Sequence, residues 1–229
     1  MQLFFHPNIE SNIILDETES THCIKVLRHK VGDEIRILNG KGKLFNGIIL
    51  TGHHKKCEVG ELREIKSQKI KKTVHIAIAP TKNHDRMEWF VEKATEIGVS
   101  TLSFFTCDHS ERKKINLDRL EKKAISALKQ CHDLWLPEIH DIQPFEQFIS
   151  SMNNNEGKYI AYVNADSSLH LLQASKGFQE HLILIGPEGD FTDEEVKLAI
   201  NINFKPVSLG LNTLRTETAG IVACTLLNT

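Results

Sequence analysis

The spacing of hydrophobic and polar positions changes near residue 70. Before that point, short apolar runs are separated by polar turns, a pattern that predicts strands at residues 2–5, 34–38, 43–50 and 58–65. The Asn39-Gly-Lys-Gly42 string between two of these runs is typical of a hairpin turn, and residues 17–27 are predicted to form a helix. Short strands at this spacing favour a small barrel or half-barrel.

After residue 70, strands alternate with helices, which predicts an α/β domain with a largely parallel sheet. The first helix is expected to be capped by Asp85 and to end at Gly98, because the residues between them fall at helical spacing. Further helices are predicted at 117–131 and 144–151, and a polar loop at 153–157. The predicted strands are 74–79, 102–106, 137–139, 159–163, 182–185 and 206–209. The polar stretch 66–72 is the predicted linker between domains of residues 1–70 and 71–229.

Two glycine-containing loops follow the last two predicted strands. The strand at 182–185 leads into Gly186-Pro-Glu-Gly189 and then into Thr192-Asp-Glu-Glu195, which has the pattern of a helix capping box. The strand at 206–209 leads into the loop 210–214, with Thr216 placed to cap the next helix. In open α/β sheets, ligands bind beyond the carboxyl ends of strands, so both loops are candidate ligand loops. A plain connecting turn is the alternative for either loop alone.

The last predicted helix, residues 216–228, is apolar on nearly every face and is expected to be buried in the core or at a subunit interface. Its start nevertheless carries Arg215, Glu217 and Thr218. An acidic residue in a first turn complements the helix dipole, but that accounts for Glu217 alone. The other two indicate a functional helix start.

Composition narrows the classes of protein. No apolar run approaches the ~20 residues that a bilayer-spanning helix needs, and the start lacks the pattern of a signal peptide, so a cytoplasmic protein is expected. The five cysteines are scattered without a CxxC, which favours reduced thiols. No metal site is expected, because His53, His54 and Cys57 lack an evident fourth ligand.

The net charge of −2 does not by itself indicate nucleic-acid binding. The basic residues are clustered, however, and each cluster fits either a phosphate-binding patch or a solvated surface. The clusters are Lys69, Lys71 and Lys72, and Arg112, Lys113, Lys114, Arg119, Lys122 and Lys123.

Motifs along nearly the whole chain resemble the RsmE family, which methylates N3 of a uridine in 16S ribosomal RNA and belongs to the knotted SPOUT class. The order and spacing of the motifs are more specific than any one string. They are His22, Val26-Leu-Arg28, Val31-Gly-Asp33, Asn39-Gly-Lys-Gly42, Lys82, Glu88, Lys93-Ala-Thr-Glu-Ile-Gly98, Ser110-Glu-Arg112, Ile185-Gly-Pro-Glu-Gly189 and Leu209-Gly-Leu-Asn-Thr-Leu-Arg-Thr-Glu-Thr-Ala219.

The resemblance implies a PUA-like β-barrel at residues 1–70, a SPOUT α/β domain with a deep trefoil knot at residues 71–229, and a homodimer. It implies S-adenosylmethionine as the cofactor and 16S rRNA or the small ribosomal subunit as the partner. The implied cofactor residues are Leu184, Ile185, Gly186, Pro187, Glu188, Gly189, Leu209, Gly210, Leu211 and Leu214. The implied RNA contacts are His22, Lys25, Arg28, Arg36, Lys82, Arg86, Lys93 and Arg112. Plain surface charge is the alternative for Lys25 and Arg36.

Two positions depart from the family pattern. Members usually carry a second glycine where this chain has Asp190, which bears on the geometry of that loop. Members often carry an arginine in the segment written here as Gln130-Cys-His-Asp-Leu-Trp-Leu-Pro137, so Asp133 lies where an RNA contact is missing.

The expected chemistry is an in-line displacement that requires donor and acceptor at near-attack distance and no metal. Because N3 of uridine carries a proton, a base or a cation that favours the uridine anion is useful. Arg215 is the candidate cation, and Glu217 is the candidate base, with Glu188 the weaker alternative. The target base must be unpaired or flipped out.

Two other interpretations remain. A related knotted methyltransferase acting on another RNA, or on a ribose 2′-hydroxyl, keeps the same cofactor site. A non-catalytic RNA-binding protein of ribosome assembly keeps the fold alone, but has little need of the intact Leu214-Arg-Thr-Glu-Thr-Ala219 string.

Overall fold

In the computed structural model, which describes residues 2–69, 72–152, 157–162 and 169–229, the chain folds as two units. One unit comprises Met1–Ile70 and Ile125–Leu136, and the other comprises Lys71–Ala124 and Pro137–Thr229. Several predictions fall partly outside the described residues: most of the polar loop 153–157, Val163 at the end of a predicted strand, Lys71, and part of the linker 66–72.

The first unit is built on a five-stranded sheet that forms a half-barrel. The strands are β1 (Leu3–Phe5), β2 (Ile13–Ile14), β3 (Glu34–Leu38), β4 (Lys43–Thr51) and β5 (Glu58–Ser67). Their order is β1-β3-β4-β5-β2, with β1 parallel to β3 and the other pairs antiparallel. All four predicted strands are confirmed, with β4 and β5 longer than expected. The two-residue β2 is too short to give an alternating pattern.

The predicted turn between β3 and β4 is confirmed. The side-chain Oδ1 of Asn39 accepts hydrogen bonds from the backbone nitrogens of Lys41 and Lys43, at 2.8 and 3.1 Å. Gly40 and Gly42 have φ values of +67° and +84°, which side chains rarely adopt. The Asn-Gly string therefore forms the turn for the reason the sequence suggests.

The predicted helix at 17–27 consists of a short α-helix followed directly by a π-helix. Helix α1 (Glu17–Thr21) is capped by Asp16, and it continues as a π-helix at His22–Val26. The backbone nitrogen of Leu27 donates to the carbonyl of His22, five residues earlier, at 2.9 Å. Such wide turns often mark functional positions.

Asp133 supports the end of the first unit. Its Oδ1 accepts hydrogen bonds from the backbone nitrogens of Leu134 and Trp135, at 2.5 and 3.4 Å. The indole nitrogen of Trp135 then donates to the carbonyl of Gln68 at 3.0 Å. The aspartate that departs from the family pattern therefore shapes a turn here.

The second unit contains a six-stranded, entirely parallel sheet of order β11-β9-β10-β6-β7-β8, as the alternating pattern predicts. Its strands are β6 (Thr73–Ile78), β7 (Thr101–Thr106), β8 (Glu138–Pro144), β9 (Gly157–Ala161), β10 (Glu180–Ile185) and β11 (Lys205–Val207). Its helices are α2 (His84–Ile97), α3 (Leu117–Cys131, whose last residues belong to the first unit), α4 (Phe145–Ser151), α5 (Leu171–Ala174), α6 (Asp193–Asn201) and α7 (Thr216–Asn228).

Two predicted caps are wrong. Helix α2 is capped by Asn83, whose side chain accepts from the nitrogen of Asp85, because α2 begins two residues earlier than its apolar spacing suggests. Helix α7 has Arg215 at the cap position without a side-chain hydrogen bond, so Thr216 is its first helical residue. The Thr192–Glu195 capping box of α6 and the Gly98 stop of α2 are confirmed, and Gly98 has φ +95°.

Apolar side chains from both faces of the parallel sheet form the core of the second unit. Phe105, Phe145, Phe148 and Phe191 contact one another among the buried aliphatic residues. Helix α7 covers another part of the sheet, since it packs on β6, β10 and α2. Of the helices in the described ranges, none has the length and apolar character that a membrane span requires.

Candidate functional site

Three neighbouring strands of the second unit end together. Ile185 of β10 pairs in register with Ala161 of β9, and Ala161 pairs with Val207 of β11. Because all three strands are parallel, the segments that follow them leave the sheet at one edge. This edge is where open α/β sheets bind their ligands.

A cavity of about 410 Å³ lies at this edge. Its size falls within the ~300–1,000 Å³ typical of small-molecule sites. It is lined by Ala161, Tyr162, Ile185, Gly186, Pro187, Glu188, Asp190, Val207, Ser208, Leu209, Gly210, Leu211, Asn212, Thr213, Leu214, Arg215, Thr216 and Ala219. Eight of the ten predicted cofactor residues are therefore brought together. Leu184, buried in β10, and Gly189 are not among the lining residues.

The β10 loop, residues 186–190, forms one wall. A Cβ at Gly186 would lie 3.0 Å from the ring of Phe191, so the backbone packs closely against the core at this position. Asp190 has φ +60°, its nitrogen donates to the carbonyl of Pro187 at 3.0 Å, and its Oδ1 accepts from the nitrogen of Phe191 at 2.8 Å. The position that is usually glycine in the family thus has a left-handed backbone, which aspartate tolerates better than most residues.

Neighbouring segments hold the β10 loop in place. The backbone nitrogen of Lys82 donates to Oε1 of Glu188 at 3.4 Å. Nδ1 of His109 lies 3.0 Å from the carbonyl oxygen of Asp190. A Cβ at Gly189 would lie 3.0 Å from the Cβ of His109, so a larger residue here would push the two segments slightly apart. The loop is therefore tied to the segments after β6 and β7.

The β11 loop, residues 208–214, forms the opposite wall and is more open. Oγ of Ser208 donates to the carbonyl of Gly210 at 3.0 Å and accepts from its nitrogen at 3.2 Å. Gly210 has φ +146°, and a Cβ there would meet no atom within 4 Å. Leu211 lines the cavity while 98% exposed. Apolar surface is thus presented to the cavity without being packed.

The two predicted catalytic residues lie in different surroundings. Arg215 is exposed and lines the cavity. Glu217 is 6% exposed and does not line the cavity. Its Oε1 lies 3.7 Å from Nε of Arg86, and its Oε2 is buried without a hydrogen-bond partner among the described residues. The start of α7 therefore presents a cation to the cavity and holds a carboxylate behind it.

Three of the four predicted RNA contacts in the first unit lie on one segment. His22 begins the π-helix and is half-buried, whereas Lys25 and Arg28 are exposed and Arg28 has φ +60°. Arg36 is half-buried on β3, and its Nε is buried without a hydrogen-bond partner among the described residues. The segment and Arg36 both belong to the half-barrel.

In the second unit, three of the four predicted RNA contacts have carboxylate partners on the protein: Lys93, Arg86 and Lys82. Lys93 is bonded to Glu96 at 2.8 Å and to Glu92 at 2.9 Å, and these two bonds raise the pKa of Lys93 to about 12. Arg86 faces Glu217, as described above. These cations are therefore already neutralised in part.

Lys82 and Arg112 lie in the segments that hold the β10 loop. Nζ of Lys82 is 2.9 Å from Oε2 of Glu111, and this hydrogen bond raises the pKa of Lys82. The guanidinium of Arg112 donates to the backbone carbonyls of Thr81 and Lys82. Lys82 is therefore exposed but paired with a carboxylate, whereas the half-buried Arg112 is bonded to the backbone.

Sequence reasoning missed the wall that follows β9. Tyr162 lines the cavity, and its hydroxyl lies 3.0 Å from Oδ1 of Asp193 at the start of α6. A strand ending here was predicted, but only the strand order shows that β9 lies between β10 and β11. Ser208, Asn212 and Thr213 were missed because they are small polar residues without a chemical signature of their own.

Comparison with known proteins agrees with the site. Residues 68–228 match the family model of an RNA methyltransferase domain, and residues 15–62 match the family model of an RNA methyltransferase PUA domain. The fold and the matched domains thus define an RNA methyltransferase. The chain belongs to the ribosomal RNA small subunit methyltransferase E family, which confirms the resemblance drawn from its motifs.

Individual relatives cover most of the chain. The ribosomal RNA small subunit methyltransferase E of Buchnera aphidicola subsp. Acyrthosiphon pisum is 32% identical over 92% of this chain and 85% of its own length. A crystal structure of a probable rRNA-methyltransferase from Porphyromonas gingivalis is 41% identical with a TM-score of 0.86, over 98% of this chain and 95% of that one. A Legionella pneumophila protein described as a methyltransferase with bound SAM is 26% identical with a TM-score of 0.82, over 98% and 96% of the two chains.

Proposed function

We propose that this protein transfers a methyl group from S-adenosylmethionine to N3 of a uridine in 16S rRNA of the small ribosomal subunit. The observation that carries the proposal is the cavity at the carboxyl ends of β9, β10 and β11, walled by the β10 and β11 loops, with Arg215 in its lining. Family membership supports rRNA as the substrate class.

The lining residues suit S-adenosylmethionine. Apolar side chains such as Ile185, Val207 and Leu209 suit the faces of an adenosyl group, and Gly210, where a Cβ would meet no atom within 4 Å, leaves room for close approach of backbone to ligand. The carboxylate of Glu188 suits a ligand with positive charge. When bound, the cofactor supplies an electrophilic methyl group on a positively charged sulfur.

Arg215 is proposed to favour the uridine anion or to bind a neighbouring phosphate. Its exposed guanidinium presents a planar set of donors, which suits either a carbonyl oxygen that gains negative charge or a phosphate. A cation placed here lowers the free energy of an N3 anion relative to its protonated form.

Glu217 is proposed to accept the N3 proton through Oε2, the oxygen left without a hydrogen-bond partner among the described residues. The nearby Arg86 orients the other oxygen, Oε1. Since Glu217 does not line the cavity, this role requires the first turn of α7 to contact the substrate in the complex.

The remaining expectations belong to the same proposal. Lys25, Arg28 and Arg36 of the first unit hold the RNA around a flipped-out base, and the second unit contains the SPOUT trefoil knot in the cytoplasmic enzyme. A homodimer is supported by α7, where Ile221, Val222 and Leu226 remain only half-buried. Light scattering measures the mass in solution.

The test is methylation of small-subunit RNA and of assembled particles with isotope-labelled S-adenosylmethionine, followed by mass spectrometry of the nucleosides. We expect label in a base-methylated uridine, at N3. Label on a ribose supports the related knotted methyltransferase instead. No transfer together with no cofactor binding in a calorimetric titration leaves only an RNA-binding protein.

A further inference from the structure

We infer that Arg112 is a positioning residue that fixes the Glu188 carboxylate at the cofactor cavity, rather than an RNA contact. This inference rests on the proposed function, because it takes the cavity to be the S-adenosylmethionine site. It changes the expected role of a residue that the sequence places among the RNA contacts.

The guanidinium of Arg112 is directed at the backbone of the segment between β6 and α2. Its Nε lies 3.0 Å from the carbonyl oxygens of both Thr81 and Lys82, and its Nη2 also donates to the carbonyl of Lys82. Its Nη1 donates to Nε2 of His84 at 2.5 Å. Each guanidinium nitrogen thus donates within the protein, which leaves Arg112 poorly placed to bind a phosphate as a planar fork.

The same segment contacts the cavity wall. The backbone nitrogen of Lys82 donates to Oε1 of Glu188 at 3.4 Å, and Glu188 lines the cavity. Thr81 is fully buried, and its hydroxyl donates to the carbonyl of Asn83 at 2.9 Å, so the segment also has a hydrogen bond of its own. A backbone donor moves only when its segment moves. Holding the Thr81 and Lys82 carbonyls therefore holds in place the backbone donor that orients the carboxylate of Glu188.

The segment between β7 and α3, which carries both His109 and Arg112, also contacts the β10 loop directly. Nδ1 of His109, three residues before Arg112, lies 3.0 Å from the carbonyl oxygen of Asp190. The segment after β7 therefore supports the β10 loop at two points, at Asp190 through His109 and at Glu188 through Arg112 and Lys82.

The position of this carboxylate matters because S-adenosylmethionine carries two positive groups, a sulfonium and an ammonium. The attraction between opposite charges depends on distance and strengthens as water is excluded. A carboxylate held in place before the ligand arrives also loses less side-chain freedom on binding. Freeing Glu188 should therefore weaken cofactor binding even though Arg112 is not in the cavity lining.

The test is calorimetric titration of S-adenosylmethionine without RNA into the full-length wild type, Arg112→Ala and Lys197→Ala. We expect Arg112→Ala to raise the cofactor Kd roughly tenfold, the effect of losing a hydrogen bond to a charged group. Lys197→Ala removes one exposed positive charge from α6 and should leave the cofactor Kd unchanged. In separate RNA titrations, Arg112→Ala should keep the wild-type salt dependence, whereas a lost phosphate contact lowers the slope by about one.

A double-mutant cycle with Glu188→Gln separates positioning from general loss of structure. If Arg112 acts through Glu188, the double variant should bind about as weakly as the worse single variant rather than ~100-fold below wild type. Arg112→Lys keeps the charge but lacks the fork, so it should restore part of the affinity. This variant also completes the cycle if Arg112→Ala does not fold in a thermal melt.

The outcomes for the two proposals are distinct. A wild type that does not bind S-adenosylmethionine overturns the proposed cofactor site. A wild type that binds, with Arg112→Ala binding equally well and RNA salt dependence reduced, overturns only the positioning role and restores Arg112 as an RNA contact. Additive losses in the cycle also overturn the positioning role.

Discussion

The β10 and β11 loops line the same cavity but are held in opposite ways. The β10 loop is tied to other segments through Glu188 and Asp190, and Gly186 packs on the ring of Phe191. The β11 loop is tied to another segment at its first residue, where the backbone of Ser208 bonds to Leu169 and Leu171, and beyond Gly210 its Leu211 is almost fully exposed. One wall is fixed before a ligand binds, and the other presents apolar surface that a ligand can cover.

This difference suggests how the site divides its tasks. A fixed wall suits recognition that depends on distance, such as the attraction between Glu188 and a positive charge. An open wall suits ligand entry and closure, because few contacts must break for it to move. Arg215 follows the open wall directly and lines the cavity beside it.

The largest effect is expected for Arg215→Ala, which removes the cation that the open wall delivers. Methyl transfer should fall by about 10³-fold, as when one charge-stabilising donor is lost from an active site. Single-turnover assays measure the loss, and circular dichroism and light scattering should show an unchanged fold and mass. Arg63→Ala, at an exposed position on β5, is the matched control. Unchanged turnover in Arg215→Ala would place the chemistry elsewhere.

Glu217→Gln tests the carboxylate held behind that cation. The rate should fall by at least about 10²-fold, the usual contribution of a general base. The remaining activity should rise with pH as hydroxide replaces the base, so rates are compared across a pH series. If turnover stays near the wild-type value, the carboxylate serves only to hold Arg86.

A pair of glycine substitutions compares the two walls directly. Gly186→Ala places a methyl against Phe191 and should lower the free energy of unfolding by roughly 1–3 kcal/mol through overpacking. In Gly210→Ala the new methyl group meets no neighbour, but the native φ of +146° is one that alanine avoids. Because the β11 loop is open, the loop should rearrange in this variant with little loss of melting temperature. The rearranged loop should weaken cofactor binding several-fold. Equal losses of melting temperature would contradict the difference between the walls.

Asp190→Gly should have the smallest effect. Glycine relieves the left-handed backbone of the β10 loop but loses the hydrogen bond from Phe191, so we expect a gain of less than about 1 kcal/mol in the free energy of unfolding. Denaturant titration measures it, with Asp190→Ala as the comparison that should be destabilised. A less stable glycine variant would show that the aspartate side chain contributes more than its backbone strain costs.

Local chemistry made much of the fold predictable. The β3–β4 turn followed from Asn39 and glycines that accept positive φ, and the capping box of α6 followed from Thr192 and Glu195. The errors arose where local signals compete. Asn83 and Asp85 are both good caps two residues apart, and the helix begins after the first of them. The π-helix and the two-residue β2 have no distinct sequence period.

The candidate site was predictable in part for a related reason. Glycine-rich strings after strands mark candidate ligand loops, and the family resemblance then singled out Gly186, Glu188 and Gly210. Tyr162 could not, because its place in the cavity depends on β9 lying between β10 and β11. The hydrogen bonds of Arg112 could not be predicted either, because its partners are backbone carbonyls some thirty residues earlier in the chain.

By itself, the sequence determined the class of fold, the family, the two loops and the cation at the start of α7, because periodicity, turn chemistry and motif order are local properties. The tertiary structure alone decided which strand ends meet, which loop is held and which is open, and which charges face one another. Those features depend on strand order and on contacts between residues far apart in the chain. The sequence therefore identifies the two loops of the cavity, while the fold shows that Lys82 and His109 hold the β10 loop, that Arg112 holds the backbone at Lys82, and that the β11 loop is open beyond Ser208.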